Sequence, residues 1–217
     1  MNHIGYMYDL GQGVAQDWQE AVKWYRKAAE AGFAFAQFNL GLMYEDGKGV
    51  EQNPSKAAQW FQKAAEQNDA SSELKMGYFN VKGIGVKQDY KAAMIWFRRA
   101  AEHGNDKAYA HIGVMYGLGE GVKKDPNRAV QYYIMGAHKN DAHAQAMLGT
   151  AYALGKGITR DYEKAIYWYK QAASNGSIVA MEELGDIYEK GKFGVNADPA
   201  ESQRWYRMAK EAEQNEN

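Results

Sequence analysis

Apolar and polar positions along this chain alternate between two helical patterns, and the pair of patterns returns every 36 residues. Over residues 34–69, Ala34, Ala36, Leu40, Met43 and Tyr44 follow one another at spacings of two to four. That is the apolar stripe of a half-buried helix, and it predicts a helix A over roughly 34–46. Gly47-Lys48-Gly49-Val50 closes it, because glycine supplies the left-handed conformation at a helix C-terminus. A helix B starts after Asn53-Pro54, an N-cap acceptor followed by a residue with no N–H to lose. Asp17, Asp89, Asp125, Asp161 and Asp198 hold the same cap position, and Glu20 after Asp17 has the spacing of a capping box. Helix B carries Trp24, Trp60, Trp96, Tyr132, Trp168 and Trp205 at one position, each followed by Tyr or Phe, and then small pairs such as Ala64/Ala65. Gly32, Asn68, Gly104, Asn140 and Gly176 end it, the two residue types that best tolerate positive φ.

The register is kept by Gly5, Gly41, Gly77, Gly113, Gly149 and Gly185, all inside helix A. A mid-helix glycine costs about 1 kcal/mol relative to alanine. Six copies of that cost predict a close helix approach that a Cβ would block. Three residues on stand Tyr8, Tyr44, Tyr116, Tyr152 and Tyr188, with Asn80 the exception, and the sixth copy carries one extra residue before Gly194. The Trp series is the expected main anchor, since one buried aromatic removes ~150–250 Å² from water, roughly 4–6 kcal/mol gross. The pattern predicts an all-α chain: a right-handed α-α superhelix, or solenoid, of six 36-residue helix-turn-helix repeats forming one domain over 1–217. The repeats run about 1–33, 34–69, 70–105, 106–141, 142–177 and 178–214.

The two ends read differently. Lys210 stands where an alanine should meet a next repeat, and a polar tail follows, as in a solvated terminal cap. The first helix A should begin about three residues before Met1, so the expectation is a chain cut from a longer precursor, with a natural start and one frayed turn as the alternative. A periplasmic location follows if a signal peptide was trimmed there, and a cytoplasmic one otherwise.

Charge and chemistry narrow the function classes. Lys+Arg 26 against Asp+Glu 27 gives a net charge of −1, which offers no basic excess for nucleic acid. No apolar run approaches 18 residues, and with no cysteine there is neither disulfide nor thiolate site. The Gly-x-Gly loops lack the third glycine or Lys-Ser/Thr of a phosphate loop. His3, His103, His111, His138 and His143 show no metal-ligand spacing and read as ordinary surface residues. Neither a cofactor nor a metal is expected. Glu182, Asp186 and Glu189 share one face of the last helix A. Such a face is more often solvated than catalytic, but it supplies the alternative of a hydrolase for small or cell-wall substrates.

The string A-x-A-x-x-x-L-G-x-x-Y-x-x-G-x-G-V, then D-x-x-x-A, W-[YF] and K-A-A, resembles the Sel-one-like repeat family over nearly all of the chain. The family is related to tetratricopeptide repeats. The resemblance implies a non-enzymatic bacterial adaptor, with an immunity protein against a secreted toxin as the alternative; the family's disulfide-rich branch is excluded by the absence of cysteine. Related tetratricopeptide solenoids turn set positions of helix A towards a concave groove. Carried onto this sequence, these are Tyr6, Asp9, Leu10, Phe35, Phe38, Leu42, Glu45, Leu74, Tyr78 and Val81 in the first half. In the second half they are Lys107, Ala110, Val114, His143, Ala146, Thr150, Glu182, Asp186 and Glu189. The first set is aromatic and apolar with acids beside it, as suits a protein or peptide partner. Phe35, Phe38, Leu42, Leu74 and Tyr78 are the expected anchors, with Asp9 and Glu45 orienting basic groups.

Overall fold

The computed structural model describes residues 2–216, which form twelve helices and no strand. Helices A of successive repeats are α1 (Asn2–Leu10), α3 (Ala34–Asp46), α5 (Ala70–Lys82), α7 (Ala108–Leu118), α9 (Ala142–Leu154) and α11 (Ile178–Lys190). Helices B are α2 (Trp18–Glu30), α4 (Pro54–Ala65), α6 (Tyr90–Glu102), α8 (Pro126–His138), α10 (Tyr162–Ser174) and α12 (Pro199–Glu216). The chain divides into two compact units, 1–105 and 106–217, each built of three helix pairs.

Local signals act as the sequence predicts. The side chain at every helix B cap accepts a backbone N–H: Asp17 from Glu20, Asn53 from Lys56, Asp89 from Lys91 and Ala92, Asp125 from Arg128, Asp161 from Lys164, Asp198 from Ala200 and Glu201. The capping box at Asp17 is only half made. Glu20 turns outward to Lys23, and the Asp17 N–H goes to the Tyr8 carbonyl instead. That last bond recurs in each repeat, as Asn53 to Tyr44 and Asp125 to Tyr116, and ties the end of helix A to the start of helix B. Gly47 ends α3 at φ 72°, where a Cβ would be strained.

The helix A glycines are explained by a ring. A Cβ on Gly41 would lie 2.6 Å from Phe61 Cε1, and one on Gly113 2.5 Å from Tyr133 Cε1. The other four glycines meet Tyr25, Phe97, Tyr169 and Tyr206 in the same way. The blocking group is thus chiefly an aromatic side chain of the same repeat's helix B, joined at Gly113 and Gly149 by the Ala129 and Ala165 carbonyls. It also corrects the anchor. Trp24, Trp60, Trp96 and Trp168 are only half-buried, whereas the next residue along, such as Tyr25, Phe61 or Phe97, is buried. Repeat six reverses the pair, with Trp205 buried and Tyr206 38% exposed. In the first unit, Phe61 meets Phe79 edge-on at 5.5 Å and carries the core from one repeat into the next.

Two devices join repeats within a unit. Gly49 and Gly85 press against the backbone at the first residue of the preceding helix B, Trp18 and Pro54, so closely that a Cβ would overlap its carbonyl. Gly157 does the same to Pro126 in the second unit. The second device is a buried amide. Gln37 donates to the Ala29 carbonyl of the preceding repeat and accepts from Gln67; Gln145 repeats this with Ala137 and Asn175. In repeat three the same position is Glu73, fully buried. His103 Nδ1 lies 2.7 Å from one carboxylate oxygen. Arg99 Nε lies 2.9 Å from the other, an ion pair without hydrogen-bond alignment, while Arg99 Nη2 takes over the donation to the Ala65 carbonyl.

Of the histidines given as surface residues, His111 is half-buried, while His103 is exposed but has a partner. His103 serves Glu73, and His111 packs edge-on against His143 at 5.5 Å. Burial, and then the nearby His143, pull the His111 pKa down to about 4.

Three outcomes are expected. Gly77→Ala should lower stability by about 1–3 kcal/mol through overpacking against Phe97, despite the roughly 1 kcal/mol helix gain, whereas Gly117→Ala, whose Cβ would make only ordinary contacts, should be neutral or stabilising. Denaturant melts of both variants check this. Arg99→Met leaves the Glu73 carboxylate short of its counter-charge and should cost about 3 kcal/mol, while Glu73→Gln restores the sister repeats' amide and should stay within about 1 kcal/mol. For His111 the native pKa lies below the unfolded value, so the unfolded chain binds the extra proton between pH 6.5 and 4. Stability should therefore fall as pH drops through that window, by about 1–2 kcal/mol after allowing for partial exposure. In His111→Gln that part of the acid limb should flatten, as thermal melts at stepped pH would report.

Candidate partner-binding face

The predicted contact residues of the first half all belong to the first unit and to α1, α3 and α5. They divide into three kinds. Tyr6, Leu10, Phe35 and Tyr78 are exposed, Phe35 at 51%. Phe38 and Leu42 are half-buried and pack on the unit's core, with the Phe38 ring 5.7 Å from Phe61. Leu74 and Val81 are half-buried on α5. The acids already have partners inside the chain. Asp9 accepts from the buried Tyr25 hydroxyl at 3.2 Å. Burial, with Asp9 adding to it, holds the Tyr25 pKa well above that of a free tyrosine. Glu45 pairs with Lys75 across α3 and α5 at 2.7 Å. This face therefore carries a neutral ion pair, its lysine 5.8 Å from the Phe61 ring centroid, where the sequence suggested a bare acid.

Phe33, just before Ala34, is a further exposed ring that the repeat pattern alone does not single out. It is the N-cap of α3 and is 58% exposed. Asp69, Asp141 and Ser177 hold the equivalent position in their repeats, and each caps its helix with its side chain. Phe33 makes no such bond. Comparison of cap positions between repeats is the signal that finds it.

In the second unit the predicted positions behave otherwise. Ala110 and Ala146 are buried and face packing rather than solvent. Lys107 and His143 are exposed. Thr150 is occupied, its hydroxyl 3.0 Å from that of Tyr169. The acidic run does not converge. Asp186 is bound by both Lys190 and Lys192, which together hold its carboxyl below the usual range. Glu189 accepts from Tyr206 at 3.4 Å, and Glu182 is exposed. Among the described residues no cluster of His, Asp and Glu could hold a metal ion, and no helix is long and apolar enough to cross a membrane. A cleft of about 320 Å³ opens between α7 and α9, over Tyr133 of α8. Its residues Gly117, Leu118 and Leu154 continue the helix A face by one turn beyond Val114 and Thr150.

Known proteins were compared with the chain as a whole. No curated protein matches it. Among solved structures, a Sel1 repeat protein from Oxalobacter formigenes is 55% identical, with a TM-score of 0.95 over 96% of this chain and 83% of that one. The c5321 protein, a protective antigen of uropathogenic Escherichia coli with an SLR fold, is 37% identical with a TM-score of 0.80, over 97% of this chain and 45% of that one. Immunity protein Pa5087 from Pseudomonas aeruginosa, at 22% identity and a TM-score of 0.66 over 97% of this chain and 81% of that one, shares the fold. The family model of the Sel1 repeat matches residues 1–33, 34–69, 70–105, 106–141, 142–177 and 178–213, so the chain belongs to the Sel1 repeat family.

Proposed function

We propose that the protein is a non-enzymatic scaffold that binds a protein or peptide partner on the helix A face of its first unit. Sel1 repeats are interaction scaffolds in general. What supports this particular face is Phe33. A side-chain N-cap is worth about 1 kcal/mol, and three sister repeats use one here. The second repeat forgoes it and presents a ring to solvent two residues from Phe35. Exposed aromatic surface of this kind anchors partners, with apolar neighbours excluding water around it. Phe35 and Tyr78 would supply further anchors, Phe38, Leu42 and Leu74 a firm apolar floor, and Tyr6 and Leu10 the edge on α1. The Glu45–Lys75 pair can meet either sign of charge on the partner, and Asp9 keeps an acidic point beside Leu10.

The immunity reading rests on a likeness to Pa5087 that extends to the fold alone. The hydrolase reading needs convergent acids, and Asp186 and Glu189 are engaged with Lys190, Lys192 and Tyr206.

Phe33→Asp should restore the cap and raise stability by about 1 kcal/mol. In affinity capture from the native host with identification by mass spectrometry, the native chain should retain a defined partner. Phe33→Asp and Phe35→Asp should lose at least nine-tenths of it. Full capture by both folded variants would overturn the assignment of this face.

A further inference from the structure

The rings that sit on the helix A glycines differ in one respect: four are tyrosines, and each hydroxyl needs a partner where it is buried. Position four after the glycine supplies it twice, as Asp9 to Tyr25 and Glu189 to Tyr206. In repeat five that position is Ala153, and Thr150 supplies a hydroxyl to Tyr169 instead. In repeat four both suppliers are missing. Gly117 stands at the acid's position and Val114 at the threonine's. Tyr133, a side chain only 8% exposed, makes no hydrogen bond among the described residues, and its ring edge opens on the cleft.

Gly117 and Tyr133 both line the cleft of about 320 Å³, at the small end of ligand sites. Packing does not demand the glycine, because a Cβ there would lie at an ordinary 3.5 Å from Tyr133 Oη. Val114, Met147, Leu118 and Leu154 give apolar walls, and no carboxylate lines them. Lys124 and Lys156 lie at the cleft, and neither forms an ion pair among the described residues. Burial lifts the Tyr133 pKa to about 12, so its hydroxyl remains a donor at neutral pH.

We propose that this cleft binds a small apolar monocarboxylate, whose carboxylate takes the place that Asp9 and Glu189 fill in their own repeats. Tyr133 Oη donates to it, Lys124 and Lys156 balance its charge, and the alkyl or aryl chain lies between Val114, Met147 and the two leucines. The site belongs to the second unit and is independent of the partner face on the first.

The test is calorimetric titration of the full chain with 4-phenylbutyrate, with 4-phenyl-1-butanol and 4-phenylbutylamine as matched probes. One saturable site is expected for the carboxylate, at least tenfold tighter than for the alcohol or the amine. Tyr133→Phe keeps a ring already native at Phe61 and Phe97, and should weaken binding at least fivefold. Gly117→Glu supplies the carboxylate from within the chain, as Glu45 and Glu189 stand in their repeats, and should abolish binding with the helical spectrum unchanged. Absence of a saturable site, equal affinity for alcohol or amine, or native affinity in Tyr133→Phe would each overturn the proposal. So would a tighter fit for an acetylated Phe-Glu peptide than for phenylbutyrate, which would place a protein partner there instead.

Discussion

The flat contact between an aromatic ring of helix B and the glycine of helix A sets the geometry of every repeat. It brings two helices closer than any side chain on Gly41 or Gly113 would permit, with ring carbons 2.6 and 2.5 Å from where a Cβ would stand. A ring buried in this way removes ~150–250 Å² from water, more than enough to offset the roughly 1 kcal/mol that a mid-helix glycine costs. Because two helices cannot bury a core alone, the ring must also meet the next repeat. Phe61 does so through Phe79, edge to face, and so links the intra-repeat contact to the stack.

Once that contact is set, the repeats vary around it. The ring is Phe in two repeats and Tyr in four, and the tyrosine hydroxyl then imposes a second demand on the facing helix. Asp9, Thr150 and Glu189 each meet it with different chemistry. The joint between repeats shows the same freedom. Gln37 and Gln145 satisfy it with an amide, while Glu73 has the Arg99 guanidinium and the His103 ring beside its carboxylate, and Arg99 also satisfies the Ala65 carbonyl. A buried charge without such partners would cost several kcal/mol, so the three residues function as one.

The architecture was legible because its signals are local and repeated. Glycine spacing, Asn/Asp caps and αL glycines each follow from backbone geometry, and the structure uses them at the predicted positions, with α3 running Ala34–Asp46. The anchor was misread for a physical reason. Trp60 and Phe61 are adjacent, so periodicity places both near the apolar stripe, and size favoured the wrong one; the smaller ring is flat against Gly41 and fully buried. The site was legible only in part. Phe35 and Tyr78 could be read as exposed apolar residues, but the partners of Asp9 and Glu45 come from residues 16 and 30 positions away and leave no local trace.

Sister repeats offer a control that a single domain lacks. Each position occurs up to six times in nearly the same surroundings, so a departure at one copy is not forced by the fold. Asn80, which replaces a tyrosine, turns its amide back to the Met76 carbonyl of its own helix and stays buried; that departure is absorbed. Phe33 and Gly117 are not absorbed. The first leaves a helix without its cap and a ring in solvent; the second leaves the Tyr133 hydroxyl without a hydrogen bond among the described residues, at the edge of an open cleft. Each costs free energy in the isolated chain, and in each case a bound group of suitable chemistry would recover it. Departures that the fold does not repair are therefore where binding should be sought in a repeat protein.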